Sequence, residues 1–370
     1  MKIRAAVLRE YGEGYSIEEL ELEPPHANEV MVKYAYTGYC HSDLSVAMGR
    51  IKMTLPMAVG HECAGVVAAV GEGVTRVEVG DHVASTWMIP CGNCEMCRAG
   101  HGHMCKPNMD FFGAGTMLDG TSRIRDAKGD TVYHGNFVSG FSSHAVVPEI
   151  AVIPIRKDFP LEQAALMSCC IPTGWGSVTN IAKVQPGDAV AIWGMGGVGL
   201  NILRASKMRQ ANPLIAIDLE KSRESLAREM GATHFICNAD TDPIPLIKEI
   251  TGGRGVDVAF EAIGDKGSVE QAWWSIAWGG KLACIGVMPD NQKAELSLQG
   301  MTFHGQQIVG GLYGGISTID DIPKLTDLAM TGDMKLDKLI AGKFKLEQLN
   351  DIAEQMEKRQ LTGRWVCEWD

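Results

Sequence analysis

The sequence predicts an α/β protein of two domains, one a doubly wound parallel sheet flanked by helices and the other mostly β. Three observations carry this. At 370 residues the chain exceeds one ordinary core, which suggests two domains of about 100 to 200 residues each. From Met1 to about Val83, short alternating segments such as MVKYAY and AGVVAAV stand between Gly, Pro and Asn, the pattern of antiparallel strands. From about residue 184 the rhythm changes to buried apolar strand, glycine turn, helix and strand again (AVAIWG, MGGVGLNILRASKMR, LIAID), as in a parallel sheet with covering helices.

That alternation continues through SRESLAREMGA, HFICN, PIPLIKEITG, VDVAFEAIG, SVEQAWWSIAWGG and KLACIGVM. Two helices, TIDDIPKLTDLAMTG and EQLNDIAEQMEKR, precede a final strand in RWVCEW. Between the halves, a Cys- and Gly-rich stretch at 90–105 leads into a polar passage to about 140, where Asp119-Gly120 and Lys128-Gly129-Asp130 read as turns.

The 45% hydrophobic and 21% charged composition is that of a globular protein, and no apolar run reaches the roughly 18 to 20 residues that span a bilayer. The opening MKIRAAVLREYG lacks the apolar core and cleavage site of a signal peptide, so a cytoplasmic protein without a membrane partner is expected. A net charge of -11 opposes binding to nucleic acid. Eleven cysteines in such a chain point to metal ligation or buried thiols before disulfides.

Gly194-Met195-Gly196-Gly197-Val198-Gly199 follows an apolar strand and opens a helix, the context that gives a G-x-G-x-x-G match its meaning. Gly194 permits the tight turn, Gly196 lets the backbone approach a pyrophosphate, and Gly199 lets helix and strand pack closely. The helix start offers N–H groups to the phosphates. Asp218 ends the next strand, 19 residues beyond Gly199, where a carboxylate can bond an adenosine ribose and repel a 2′-phosphate. A Rossmann domain binding NAD is the expectation, with Lys221 and Arg223 as nearby basic groups.

Cys91, Cys94, Cys97 and Cys105 form C-x2-C-x2-C-x7-C, compact enough to enclose one ion. The x7 gap favours tetrahedral zinc over an iron–sulfur cluster, and a four-sulfur site has no open position, so its role is structural. Three further segments join soft ligands to acidic neighbours or sharp turns: Gly38-Tyr-Cys40-His41-Ser42-Asp43, Gly60-His61-Glu62, and Ser168-Cys169-Cys170 before Pro172-Thr173-Gly174. Each piece alone also fits a packed core.

Together, GYCHSDL, GHE, the four-cysteine stretch, LMSCCIPTGWGS, GMGGVG, CIGVMPDNQ and GGLYGG resemble the zinc-containing medium-chain dehydrogenase/reductases, and within them the liver-type alcohol dehydrogenases of class I and III character. The resemblance covers essentially the whole chain. It implies a GroES-like catalytic domain at 1–170 and 314–370, a Rossmann domain at 171–313, and two zinc ions per subunit. Cys40, His61 and Cys169 would bind the catalytic zinc; Cys169 rather than Cys170 stands four residues before Thr173, as the family ligand does. Glu62 would sit behind the metal or act as an alternate ligand, and Asp43 would orient the His61 ring. His41 and Arg364 would pair with the cofactor pyrophosphate, Arg223 would serve the cofactor, and Thr173 would pack near the nicotinamide.

A bound zinc would supply Lewis-acid activation of an alcohol oxygen, with hydride passing to the nicotinamide. The proton would pass to Ser42 and, in liver-type relatives, on to a histidine three residues later. That position is Ser45 here, so the path lacks its terminal base. The substrate expected is a primary alcohol or aldehyde, aromatic, allylic or medium-chain, with Trp87, Met88, Phe111, Phe112, Met117 and Leu312 as pocket candidates. The rival within the family is a thiol-adduct formaldehyde dehydrogenase, which LDGTSRI resembles; the basic residue that class needs just before it is replaced by Ala114-Gly115-Thr116, and LSVAMGRIKM lacks its acidic residue. The alternatives beyond it are a zinc-binding NAD-sensing scaffold and an enzyme with non-exchanging NAD. Retention of about 115–140 favours a homodimer joined through the cofactor-domain sheet, where KLACIGVM would serve as either an edge or an interior strand.

Overall fold

The structure, a computed structural model, describes residues 1–289 and 291–370. It forms two compact units: Met1–Cys169 with Ser317–Gly332 and Ile340–Asp370, and Cys170–Ile316 with Asp333–Leu339. The sequence places the second crossing at 313/314; the chain rejoins the first unit at Ser317, and Asp333–Leu339 belongs to the second. That short segment is tied there because Arg204 Nε donates to the Asp333 carbonyl and Lys335 Nζ to the Glu229 carbonyl.

In the first unit, Lys2–Leu8, Ser16–Leu22, Ile124–Arg125, Thr131–His134 and Met57–Ala58 close a small barrel. The polar passage after residue 115 therefore carries strands as well as turns, with Gly120 and Gly129 at positive φ in those turns. Met117 is fully buried among Ile3, Val7, Leu20 and Val132 in the barrel core, so it is not a pocket residue. A seven-stranded sheet is built around Glu29–Gly38, which pairs with Glu62–Val70, His144–Pro148 and the C-terminal Arg364–Glu368. This register brings His61, Cys40 and Arg364 to one end of the sheet.

Inside the barrel wall His134 is wholly buried and its Nε2 accepts the Arg123 amide at 3.1 Å. Burial, aided by the Arg123 charge, pushes its pKa down to about 3. The unfolded chain binds this proton below about pH 6.5 and the folded chain does not, so stability is present above that pH and is lost as pH falls towards 3, by about 1.4 kcal/mol per unit. His134→Gln, which keeps an acceptor, is expected to flatten that slope in urea titrations between about pH 7 and 4. An unchanged slope would assign the acid sensitivity elsewhere.

The second unit holds a six-stranded parallel sheet in the order His234–Cys237, Leu214–Asp218, Val190–Trp193, Val256–Glu261, Ile276–Cys284, Gln307–Gly310. Val190–Trp193 and Leu214–Asp218 are buried at every position, as strands covered on both faces must be. SVEQAWWSIAWGG divides: its helix ends at Ser275, and Ile276–Gly280 joins the strand running to Cys284. KLAC is thereby interior, and Gln307–Gly310 is the edge. The strand order reverses beside Val190–Trp193, the switch point where open α/β sheets bind ligands.

Candidate active site

The cysteine lobe is a local structure. Cys94 caps the short helix Glu95–Arg98 and its sulfur accepts the Cys97 amide; the Cys91 sulfur accepts from Cys94 N at 3.3 Å, and Cys105 from Cys91 N at 3.3 Å. Backbone N–H groups aimed at sulfur favour thiolate, and those from Asn93 and Cys94 bring the Cys91 pKa down to about 6. The four sulfurs lie within 4.8 Å of one another, which fits a closed tetrahedral zinc.

The second donor set comes from three distant places. Cys40 caps the helix His41–Ala47 after the strand Glu29–Gly38, His61 precedes the strand Glu62–Val70, and Cys169 follows the helix Leu161–Leu166. Their donor atoms, with a Glu62 oxygen, all lie within 4.8 Å of one another, and all four residues are buried. Gly60 makes this approach possible: its φ is +101°, and a Cβ there would sit 2.6 Å from the Phe141 nitrogen.

Asp43 organises the set. One oxygen accepts the Cys40 amide at 3.0 Å and the other meets His61 Nδ1 at 2.9 Å, which assigns the Nδ1–H tautomer and leaves Nε2 as the ligand atom. Burial would lower the His61 pKa, but the Asp43 carboxylate overrides it and holds the ring well above its usual value. A hydrogen bond from Cys169 holds Cys40 well below a normal thiol against the opposing effect of burial, with the Arg364 and His61 charges assisting. Two converging sulfurs and one oriented imidazole suit zinc with its fourth position open.

Glu62 supports this fit. It is fully buried, and neither oxygen has a hydrogen-bond partner among the described residues; its ion-pair contact is Arg364 Nη2 at 3.1 Å. Burial pushes its pKa up to about 7, with Arg364 opposing. A buried carboxylate so placed is costly unless positive charge stands close by; Arg364 supplies part of it, and a zinc held by the neighbouring ligands would add to it. Arg364 is itself buried and also donates to the Tyr39 carbonyl at 3.0 Å, so its guanidinium lies between Glu62 and that carbonyl.

Ser42 Oγ lies 3.7 Å from Cys40 Sγ, beside the position the metal would fill. Ser45 is one turn on, its carbonyl accepting from Arg50 and Ile51, while His41 is exposed at the helix start. An aromatic wall adjoins the ligands: the Trp87 ring stands perpendicular to His61 at 6.3 Å, and Phe112 lies 5.5 Å from Trp87. Met88 is buried and accepts from Asn108 through sulfur. Phe111 packs against the sheet core.

In the second unit three glycines of the turn have measurable roles. Gly194 has φ +92°, and a Cβ on Gly199 would fall 1.7 Å from the Gly194 oxygen. A Cβ on Gly196 would meet no protein atom within 4 Å, which leaves an open cradle at the start of the helix Gly197–Met208 that suits a phosphate group. Val198 is half-buried on that helix. Asp218 accepts from Met195 N at 2.7 Å and Arg223 Nη1 at 2.9 Å through one oxygen, and from Glu220 N through the other. The carboxylate thus braces the glycine turn, a task that its position in the sequence does not reveal. Thr173 is half-buried on the helix Cys170–Gly176. Cys170 faces the Asn201 amide at 3.9 Å.

GGLYGG has a packing role that residue type alone does not assign. Gly314 approaches Gly176 and the Thr173 carbonyl so closely that a Cβ on either glycine would clash, and Asn180 donates to the Gly314 and Gly315 carbonyls. The paired glycines are the signal in the sequence. Leu312, in the same turn, is over one-third exposed.

Two donor sets of zinc type in a mostly β unit, with a glycine turn on a parallel sheet, define a zinc-containing oxidoreductase. Comparison agrees: residues 26–157 match the alcohol dehydrogenase GroES-like domain and 197–331 the zinc-binding dehydrogenase domain. An S-(hydroxymethyl)glutathione dehydrogenase from Synechocystis sp. is 37% identical over 361 residues, covering 96% of this chain and 97% of the relative. A zinc-binding-domain alcohol dehydrogenase from Burkholderia ambifaria superposes with TM-score 0.94 at 34% identity, over 100% of this chain and 99% of its own. Benzyl alcohol dehydrogenase from Acinetobacter calcoaceticus gives 0.94 at 31%, over 100% of both. The chain belongs to the zinc-containing medium-chain alcohol dehydrogenase family.

Proposed function

We propose that this protein is an NAD-dependent alcohol dehydrogenase acting on a primary alcohol with an aromatic or allylic group, and on the corresponding aldehyde. The observation that carries the reading is the convergence of Cys40, His61 and Cys169 beside Ser42 and an aromatic wall. Bound there, zinc would supply Lewis-acid activation of the alcohol oxygen, and bound NAD would supply the hydride acceptor. Ser42 takes the hydroxyl proton, Asp43 holds His61 in register, and Trp87 with Phe112 offers an apolar aromatic surface to the substrate. Asp218 favours NAD through its charge, and Gly196 leaves room for the pyrophosphate. Eleven free thiols, seven of them in the two donor sets or beside them as Cys40, Cys91, Cys94, Cys97, Cys105, Cys169 and Cys170, suit a reducing compartment, the cytoplasm. Among the described residues no helix is long and apolar enough to cross a membrane.

The glutathione-type reading is less well supported. Ala114 is exposed and uncharged, and Arg123, in LDGTSRI, is fully buried with both Glu29 oxygens and Asp119 as partners, so it cannot meet a substrate carboxylate. NAD reduction with benzylic, allylic and long-chain alcohols, run beside formaldehyde with and without glutathione, tests this. Benzylic or allylic turnover without thiol is expected; a strict thiol requirement would reverse the choice.

The quaternary expectation is a homodimer through the edge strand Gln307–Gly310. Around it Trp278, Leu298 and Phe303 are each more than 70% exposed, and an open edge beside such a patch favours a second copy. The Trp278→Lys, Phe303→Glu double variant is expected to sediment as a monomer; unchanged dimer mass would place the interface elsewhere.

A further inference from the structure

Tyr39 directly precedes Cys40 and is held on all sides. Its amide donates to the Trp365 carbonyl at 2.9 Å, its carbonyl accepts from Arg364, and its ring lies 6.0 Å from Phe141. Its hydroxyl is 3.1 Å from that of Tyr15, which donates to the Asp43 carbonyl at 3.1 Å. Tyr15 has a single proton and gives it to Asp43, so Tyr39 is the donor to Tyr15. Both rings are buried, edge-on at 6.4 Å. A core that needed only bulk would take phenylalanine at both positions; two buried hydroxyls that satisfy each other and one backbone carbonyl need a reason.

The surrounding contacts give it. From Asp43 the network continues to the Cys40 amide and to His61; from the Tyr39 carbonyl it continues through Arg364 to Glu62. These links reach three of the four donor residues, Cys40, His61 and Glu62. The geometry points to Tyr15 and Tyr39 as positioning residues whose joined hydroxyls fix the first turn of the helix His41–Ala47, and with it Cys40 and Ser42. This rests on the proposed role of Cys40 as a zinc ligand. Burial raises both phenols' pKa, so they act as neutral hydrogen-bonding groups and do not replace the missing base at Ser45.

Tyr15→Phe keeps the ring and removes the link. The variant is expected to hold its zinc and to melt only a few degrees lower, as the loss of a buried hydrogen bond requires, while the d–d absorption of cobalt-substituted protein shifts and a chelator extracts the catalytic metal about five- to tenfold faster. On a substrate alcohol kcat falls by a similar factor with the KM for NAD unchanged. Tyr39→Phe behaves alike, and the double variant loses no more than the worse single one. An unaltered cobalt spectrum and extraction rate in Tyr15→Phe, or additive losses in the double variant, would overturn the assignment; should Tyr39→Phe not fold, Tyr15→Phe alone decides. The metal readouts need no alcohol, so an error in substrate class leaves them intact, whereas an error in this pair does not.

Discussion

Ser42→Ala is expected to lower kcat by about two to four orders of magnitude, the usual contribution of a positioned proton acceptor, while Ser45→Ala stays within about twofold. The contrast follows from placement. Ser42 Oγ lies 3.7 Å from the Cys40 sulfur, so an alcohol oxygen held at the metal position has that hydroxyl as its neighbour. Ser45 is one turn behind, has no basic side chain, and cannot finish a relay that a histidine would finish. Without a base at that position, turnover should respond weakly to Ser45. Steady-state kinetics of both variants on one benzylic alcohol measure this; a large loss in Ser45→Ala alone would show that the path runs elsewhere.

Gly196→Ala and Gly199→Ala are expected to weaken NAD binding by different means. Nothing in the protein meets a Cβ on Gly196, so that variant should keep its thermal midpoint and still lose affinity, by about one to three orders of magnitude if the methyl occupies space the pyrophosphate needs. On Gly199 the Cβ would lie 1.7 Å from a backbone oxygen. The turn must then move, at a cost of about 1 to 3 kcal/mol in stability, and binding falls together with the midpoint. Calorimetric titration with NAD and thermal melts separate the two. Full NAD affinity in Gly196→Ala would remove the phosphate from that cradle.

What the sequence makes legible follows the range over which each feature is encoded. The cysteine lobe and the glycine turn are local: spacing alone brings Cys91 to Cys105 together, and a strand before Gly194 with a helix after it is enough to define the turn. The second donor set is not local. Cys40, His61 and Cys169 meet because the register around Glu29–Gly38 brings their elements to one end of a sheet, and no periodicity records that. Short strands are hidden for a related reason, since Ile124–Arg125 is too brief to show alternation. Met117 reads equally as pocket or core because a methionine packs in either. Asp218 is legible as the end of a strand, yet its bonds to Met195 and Arg223 depend on a turn conformation that residue type does not specify. Tyr15 and Tyr39 look like ordinary aromatics until their hydroxyls are seen to meet.

The difference in range between the two zinc-type sites also sets a timetable for synthesis. The cysteine lobe is complete once residue 105 has left the ribosome, so it can capture its ion on the nascent chain. The other site waits for Cys169, and the charge facing Glu62 arrives only with Arg364. A chain interrupted between residues 105 and 169 would therefore carry a complete cysteine lobe and only part of the second donor set.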